Sequence, residues 1–408
     1  MKISSRLAAV VAACACCGVA WAAAPTPAQE ALLRDFQASA QQHEADAVVV
    51  LKDGQTWLDY RREGVAAGPI QMMSATKSLV ALGIGRLLTQ GRLRSLDQPV
   101  ADFYPEWRQG RKATITLRML MAQTSGLQDL PQTGTEVYPA PDAIQLALAA
   151  ELVRDPGRAW LYSNKATNLL AGVIERAAHE RMDAYLEREL LAPLGIRGPA
   201  WAGARDGGFD ATGHPYAMAG WVASASDAAR VGQLVLDEGR LGNAQWIDAA
   251  FIREMLSQGP PDASAYGLLW WRRSTSVVLD VAYLERLAAA GVRADLLDRL
   301  QPLRGRRYAT LGALRDDLRA AYGGDLKPLG DSAKERQMSL EPLIGTGPVE
   351  AYTAEGYLGQ FIVVVPSARL VAVRQIAERD VPGGQPWPYN DDDFTRRTIE
   401  LARALLAP

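Results

Sequence analysis

The chain is poor in the residues from which thiol and metal chemistry are built. Its 408 residues include three cysteines and three histidines. Cys14, Cys16 and Cys17 all fall in one apolar N-terminal stretch, and His43, His179 and His214 are scattered. His179-Glu180 lacks a second histidine four positions on, where Asp183 stands, so the zinc-protease helix pattern fails. No Gly-x-Ser-x-Gly elbow occurs, which leaves an α/β-hydrolase triad without its nucleophile turn. No phosphate-cradling glycine loop occurs either. Charge of one sign is also missing: 44 basic residues against 46 acidic ones leave a net charge of -2, and a nucleic-acid footprint would need a basic excess. The expectation is a protein without metal, cofactor or nucleic-acid partner. What remains is 48% hydrophobic and 22% charged, an ordinary balance with ample material for a core.

The N-terminus stands apart. Lys2 and Arg6 precede an apolar run from Leu7 to about Ala20, followed by Trp21-Ala22-Ala23-Ala24-Pro25. A basic start, a short apolar segment and small residues predict a secretory signal over residues 1–22, with cleavage after Ala22 or Ala23 and export to a periplasm or the medium. The run is too short to span a bilayer, and no later run reaches that length. A chain cleaved there keeps no cysteine, and so no disulfide or thiolate site. Val11-Ala12-Ala13-Cys14 resembles a lipobox, which makes a lipid anchor at Cys14 the alternative.

From residue 23 on, the pattern reads as one hydrolase-sized domain. A polar helix around Gln29 to Gln42 precedes AVVVLKDGQTWLDYRR, where two β-rich runs flank Asp53-Gly54, a hairpin signal. Helical patterns dominate from about Asp102 to Asp227. QFIVVVPSARLVAVRQIA predicts a second hairpin turning at Pro366-Ser367-Ala368, and a last helix covers roughly Asp393 to Leu406. Strands at both ends with helices between predict an α+β fold: one antiparallel sheet from the chain termini, with a helical lobe over it and a site in the cleft between. YGLLWWRR, Tyr266 to Arg273, looks like a strand, and its Trp270-Trp271 pair reads as strand packing. Between it and AYTAEGYLGQ lie about 75 residues that read as three helices.

One chemical pattern stands out. Only seven of the 44 basic residues are lysines, and one of them, Lys77, follows Ser74 by three positions at the mouth of an apolar helix. Positions i and i+3 share a helix face. A serine hydroxyl is a poor nucleophile until a neighbour accepts its proton, and a lysine amine can do so. Ser74 would equally serve as an N-cap. A second feature bears on this choice: PGRAWLYSNKATNLLA places Tyr162-Ser163-Asn164 before a helix. Ser163 or Asn164 reads as the cap, and Tyr162 as packing or as a phenol beside the serine and lysine.

Together SATK, YSN and their spacing resemble the serine β-lactamase and penicillin-binding protein superfamily, in the branch with class C β-lactamases, related bacterial esterases and 6-aminohexanoate-dimer hydrolases. GRLRSLDQPVADFYPEW, ITLRMLMAQTSGL, ELLAPLGI and AGWVASASDAARVGQLVL look like family segments in family order. The resemblance covers about residues 47–273 and resumes from Tyr352. It implies a DD-peptidase/β-lactamase-like fold and an acyl-enzyme on Ser74, with Lys77 and Tyr162 sharing the base and acid roles. Asn164 would offer its amide to Lys77 and to substrate. It also implies a small ester, amide or peptide-like substrate. A D-amino-acid peptidase, a weak β-lactamase or a non-hydrolysing sensor stays open beside an esterase or amidase.

The chain departs from the family at the third motif. Where β-lactamases carry Lys-Thr-Gly or His-Thr-Gly, the matching place reads Ala354-Glu355-Gly356, then Tyr357. Gly356 keeps the close backbone approach, and the Tyr357 N–H becomes the expected second oxyanion donor beside that of Ser74. Ala354 offers no charge to a substrate carboxylate. The residues from about 274 to 348 stand as an insertion relative to the family's short connection, expected either to wall the cleft as a lid or to decorate the periphery.

Overall fold

A computed structural model describes residues 24–407 apart from 66–67, 131–132, 199, 202–206, 258, 260–263, 337 and 380–391. Residues 1–22, expected to form a secretory signal, and the three cysteines lie outside the described residues. Six strands form one antiparallel sheet: β1 (Ala47–Lys52), β2 (Gln55–Arg61), β3 (Trp271–Arg273), β4 (Ala351–Gly356), β5 (Gln360–Val365) and β6 (Leu370–Gln375), in the order β2-β1-β6-β5-β4-β3. Both expected hairpins form. Asp53 and Gly54 take positive φ at 49° and 76°, the conformation a two-residue hairpin turn requires. The sheet joins the two ends of the chain because β1 pairs with β6, Ala47 opposite Gln375.

Alternation along the strands fills two cores, since successive side chains point to opposite faces. Val49, Leu51, Ile362, Val364, Val371 and Val373 face the helical lobe. Val48, Val50, Phe361, Val363 and Val365 face the terminal helices α1 (Pro27–Gln42) and α5 (Asp392–Leu406), which supply Leu33, Phe36, Phe394 and Ile399. On the lobe side the central helices are α2 (Thr76–Thr89), α3 (Asn164–Ala178) and α4 (Ala225–Leu236). Gly232 lets α4 lie on the sheet: a Cβ there would stand 2.6 Å from Val371 Cγ1 and 2.8 Å from Ile362 Cγ2.

Two sequence expectations change. The Tyr266-to-Arg273 run is strand only over Trp271–Arg273, because Leu269 turns with φ 61° and buries Trp270. The segment after it is not purely helical. It holds four helices, Val281–Ala289, Ala294–Asp298, Leu311–Ala321 and Lys327–Glu335, plus a three-stranded sheet of Ile344–Thr346, Val277–Leu279 and Arg307–Tyr308. The strands are two or three residues long, too short to show a period of two in the sequence. Leu279, Leu284, Leu287, Leu300, Leu314 and Leu329 give this segment a core of its own. It leaves the main sheet after Arg273 and returns at Ala351, which are paired neighbours on β3 and β4.

Replacing Gly232 with alanine should force α4 away from Val371 and Ile362, at a cost of about 1–3 kcal/mol as for other overpacked cores. Urea unfolding would read this as a lower midpoint at unchanged slope, and an unchanged midpoint would contradict the close approach.

Candidate active site

The site begins at a strained turn. Met73 has φ 49°, unfavourable for a side chain with a Cβ and tolerated where the surroundings over-determine it. Ser74 sits next in the single 3-10 turn Met73–Ala75, and α2 follows with Ala75 at its N-cap position. Ser74 therefore does not cap the helix through its side chain. Its Oγ instead accepts a 2.9 Å hydrogen bond from Lys77 Nζ, which also donates to the Met218 carbonyl at 2.8 Å. Lys77 is 2% exposed, so its amine meets these two oxygens with little access to bulk water.

Met218 is held from both sides. Its N–H donates to Asn168 Oδ1 on α3 at 3.1 Å, and three residues on, the Trp221 N–H donates to Thr76 Oγ1 at 3.2 Å. Met72 N–H in turn donates to the Trp221 carbonyl at 2.7 Å. The loop through 216–221 is thereby tied to both helices that carry the candidate chemistry.

Tyr162 precedes α3, whose N-cap is Ser163: its Oγ accepts from the Ala166 N–H at 2.9 Å. Cap and candidate phenol are thus neighbouring residues, and both readings of this motif hold. The AQTSG segment explains itself here. Gln123 takes the Ser163 N–H on its Oε1 and donates its Nε2 to Thr167 Oγ1 at 3.1 Å, while its carbonyl accepts from the Leu161 N–H at 2.8 Å. Tyr162 is clamped between residues bound to one glutamine. Asp129 adds a second clamp, its Oδ2 accepting from Ser163 Oγ at 2.7 Å and the Lys165 N–H at 2.8 Å.

The Tyr162 ring lies between the Lys77 side chain and an indole. Lys77 Nζ is 5.0 Å from its centroid, and Trp271 on β3 is stacked at 6.5 Å and 14°. Trp271 also meets Tyr266 edge-on at 4.6 Å and Trp160 at 6.2 Å, inside the range of favourable aromatic pairs. Tyr266 is fully buried, and that burial pushes its phenol well above its ordinary value, with Tyr162 and Glu355 adding in the same sense. It stays a neutral packing partner. The tryptophan pair thus divides: Trp270 is core, with its Nε1 on the Ser78 carbonyl at 3.3 Å, and Trp271 touches Tyr162. Sequence reasoning treated the two alike because neighbouring strand residues differ only in which face they take.

Gly356 ends β4 against the start of the SATK turn. A Cβ on it would stand 2.2 Å from the Met72 carbonyl oxygen, so only glycine permits this approach without a shift. Tyr357 follows, 62% exposed. Ala354 is 0% exposed and faces the core, so the position expected to match the family's lysine or histidine does not open on the cleft. Its neighbour Glu355 is engaged by Arg273 through Nε at 2.7 Å and Nη2 at 2.5 Å, and Arg273 lies 4.7 Å above the Trp271 ring.

A cleft of about 550 Å³ brings together Ser74, Tyr162, Asn164 and Tyr357, with Gln71, Tyr138, Met218 and Glu378 also on its walls. Lys77 and Gly356 stand behind it. Among the described lining residues none is lysine or arginine, and none comes from 274–348, which fits the peripheral alternative for that segment rather than the lid. The segment leaves the sheet at Arg273, paired with Ala351, at the opposite end of β4 from Gly356. Five residue steps along the strand separate the two, roughly 17 Å at the usual rise. His214 does not line the cleft either. It sits near Asp142 and Asp210. Asp210 accepts bonds from Ala143, Thr212 and His214 backbone N–H groups, as a loop clasp does. Met218 and Asn168 escaped sequence reasoning. Met218 acts through its carbonyl and leaves no side-chain signal, whereas Asn168, one helical turn beyond Asn164, shares its face.

Comparison with known proteins agrees with this arrangement. The family model described as Beta-lactamase matches residues 30–382. The chain belongs to the beta-lactamase family, as the SATK and YSN motifs implied. Esterase EstB of Burkholderia gladioli is 33% identical over 146 residues, 31% of this chain and 37% of the esterase. Protein flp of Staphylococcus aureus is 27% identical over 164 residues, 36% of this chain and 33% of that protein. The matched stretches thus span about a third of these curated relatives. A penicillin-binding protein homolog from Caulobacter crescentus superposes with a TM-score of 0.60 at 18% identity, covering 95% of this chain and 99% of its own. A family VIII carboxylesterase gives 0.58 at 16% identity, covering 94% and 99%. At such identities the likeness shows the fold, which is the expected DD-peptidase/β-lactamase-like one.

Removing the Trp271 ring should loosen Tyr162. Trp271→Ala is expected to slow fluorophosphonate labelling of Ser74 about tenfold, as a small displacement of a reacting group can, and Trp271→Phe to restore most of the rate. Equal labelling by all three proteins would contradict the stacking role.

Proposed function

We propose that the protein is an exported serine hydrolase that cleaves a carboxylic ester or amide through an acyl-enzyme on Ser74. The observation that carries this reading is the contact of Lys77 Nζ with Ser74 Oγ beneath the Tyr162 ring, at the floor of a cleft. Ser74 Oγ attacks the substrate carbonyl carbon, and its proton passes into the Lys77–Tyr162 pair. Positioned acid–base groups of this kind contribute about 10²–10⁴-fold. The carbonyl oxygen becomes an oxyanion between the Ser74 and Tyr357 N–H groups, each such donor contributing about 3 kcal/mol. The tetrahedral intermediate collapses, the C–O or C–N bond breaks, and Tyr162 returns a proton to the leaving alcohol or amine. Water then attacks the acyl-enzyme by the reverse proton path and releases the carboxylic acid. Asn164, on the cleft wall at the first turn of α3, orients the substrate through its amide. The basic and apolar N-terminal segment supports the exported assignment.

Substrate charge follows from the walls. A carboxylate-bearing β-lactam would leave its charge without a lysine or arginine among the described lining residues. Neutral acyl compounds meet no such cost. Similarity to an esterase and to a carboxylesterase fits this preference.

Short p-nitrophenyl esters should be turned over, and Ser74→Ala should abolish both turnover and fluorophosphonate labelling. Tyr162→Phe is expected to lower kcat by about 10²-fold or more and Lys77→Met at least as much, while a chromogenic cephalosporin is hydrolysed far more slowly than the esters. Labelling that survives Ser74→Ala would overturn the assignment, and labelling without turnover of any ester or amide would favour a sensor.

A further inference from the structure

Tyr357, whose N–H is the expected second oxyanion donor, opens the three-residue loop Tyr357–Gly359 that joins β4 to β5. Gly356 pairs with Gln360 at the base of this loop. The loop is strained. Leu358 is buried with φ 66°, and Gly359 follows with φ 89°. A residue with a Cβ keeps such a conformation only where its surroundings over-determine it. At one end Gly356 abuts the Met72 carbonyl. At the other, the buried Gln360 exchanges two bonds with Ile376, its Nε2 donating to the carbonyl at 2.5 Å and its Oε1 accepting the N–H at 3.1 Å.

Arg374 holds the middle of the loop. Its Nε donates to the Gly359 carbonyl at 3.0 Å, and a Cβ on Gly359 would stand 2.3 Å from its Nη2. Arg374 lies on β6 opposite Phe361 of β5 and Val48 of β1. Its side chain therefore leaves the sheet on the face of the terminal helices, away from the cleft. The guanidinium is 4.9 Å from the Phe361 ring centroid and 5.1 Å from that of Phe394 on α5, within cation–π range. Arg374 is buried, and a hydrogen bond from a charged donor gains strength where water does not compete. Arginine suits this place because its plane rests on rings while its edge donates.

We propose that Arg374 is a positioning residue for the oxyanion pocket. It fixes the Gly359 carbonyl from behind the sheet and thereby aims the Tyr357 N–H, two residues earlier, at the substrate's carbonyl oxygen. This role presupposes the proposed acyl-enzyme on Ser74. An oxyanion donor acts through preorganisation, so a loop free to relax loses transition-state binding while ground-state binding hardly changes. Through Arg374 the Phe394 ring of α5 also bears on the site, from the far side of the sheet.

Hydrolysis of p-nitrophenyl acetate and of its thiono analogue by the full chain tests this, with rates taken per site labelled to completion by fluorophosphonate. Sulfur is the poorer hydrogen-bond acceptor, so the oxo-to-thiono ratio of kcat/KM reads the pocket rather than the amount of folded protein. Arg374→Met is expected to lower kcat for the oxo ester about tenfold, short of the roughly 10²–10³-fold of a donor removed outright. Acylation and deacylation both pass through an oxyanion, so KM should stay within about twofold while the ratio falls. Arg374→Lys, which keeps a donor, should recover part of both, and Phe394→Leu should lower the ratio less than Arg374→Met. A folded Arg374→Met protein with the parent's kcat and ratio would overturn the proposal, as would a change in KM alone or no recovery in a folded Arg374→Lys protein. Should Arg374→Met fail to fold, an unchanged ratio in Phe394→Leu would overturn it. These outcomes leave the acyl-enzyme standing, whereas turnover that survives Ser74→Ala would overturn the acyl-enzyme itself.

Discussion

The Lys77 amine, enclosed between Ser74 Oγ and the Met218 carbonyl, is the contact on which the rest of the arrangement depends. An amine taken out of water needs fixed oxygens around it, because an unmade buried donor costs more than a made one gains. Both helices meet that demand. Thr76 on α2 and Asn168 on α3 hold the backbone of the 216–221 loop, and that loop presents the carbonyl. The strained Met73 brings Ser74 to the other side. Loosening any of these leaves the amine with one acceptor.

Around this contact the two lobes meet through rings rather than through charge. Trp160 and Tyr162 come from the helical lobe, Tyr266 and Trp271 from the sheet edge, and they interlock across the junction. Arg273 on this edge is engaged by Glu355 and by the Trp271 face. Ala354, the position expected to match the family's lysine or histidine, is turned into the core. The strand therefore offers the proposed acylation site a rigid aromatic brace and a backbone edge, and no positive charge for a substrate. That combination separates machinery for forming an acyl-enzyme from a handle for a charged ligand.

How far this was legible from residues alone follows from how each feature is encoded. Hairpins, terminal helices and the sheet they share could be read because turn chemistry and apolar runs are local signals. Spacing put Ser74 and Lys77 on one helix face, whereas their roles and that of Tyr162 came from the resemblance of SATK, YSN and the ordered segments to a family; the structure brings the three together. Gly356 was legible as a close approach, and a carbonyl oxygen at 2.2 Å from its absent Cβ is the reason. The three short strands of the 274–348 segment were not legible, being shorter than any period. Its separation from the cleft is a matter of which end of β4 it leaves from, and this depends on pairing between Arg273 and Ala351. Met218 could not be found by residue type at all, and Trp271 differed from Trp270 only through the kink at Leu269.

The central claim is that Ser74 carries the acyl group. Mass spectrometry of a peptide digest, quenched in acid during turnover of a p-nitrophenyl ester by the Tyr162→Phe protein, tests it directly. The account predicts the acyl mass on the peptide containing Ser74, built up because deacylation is slowed. Turnover with no acyl adduct on that peptide, or an adduct on another serine, would contradict it.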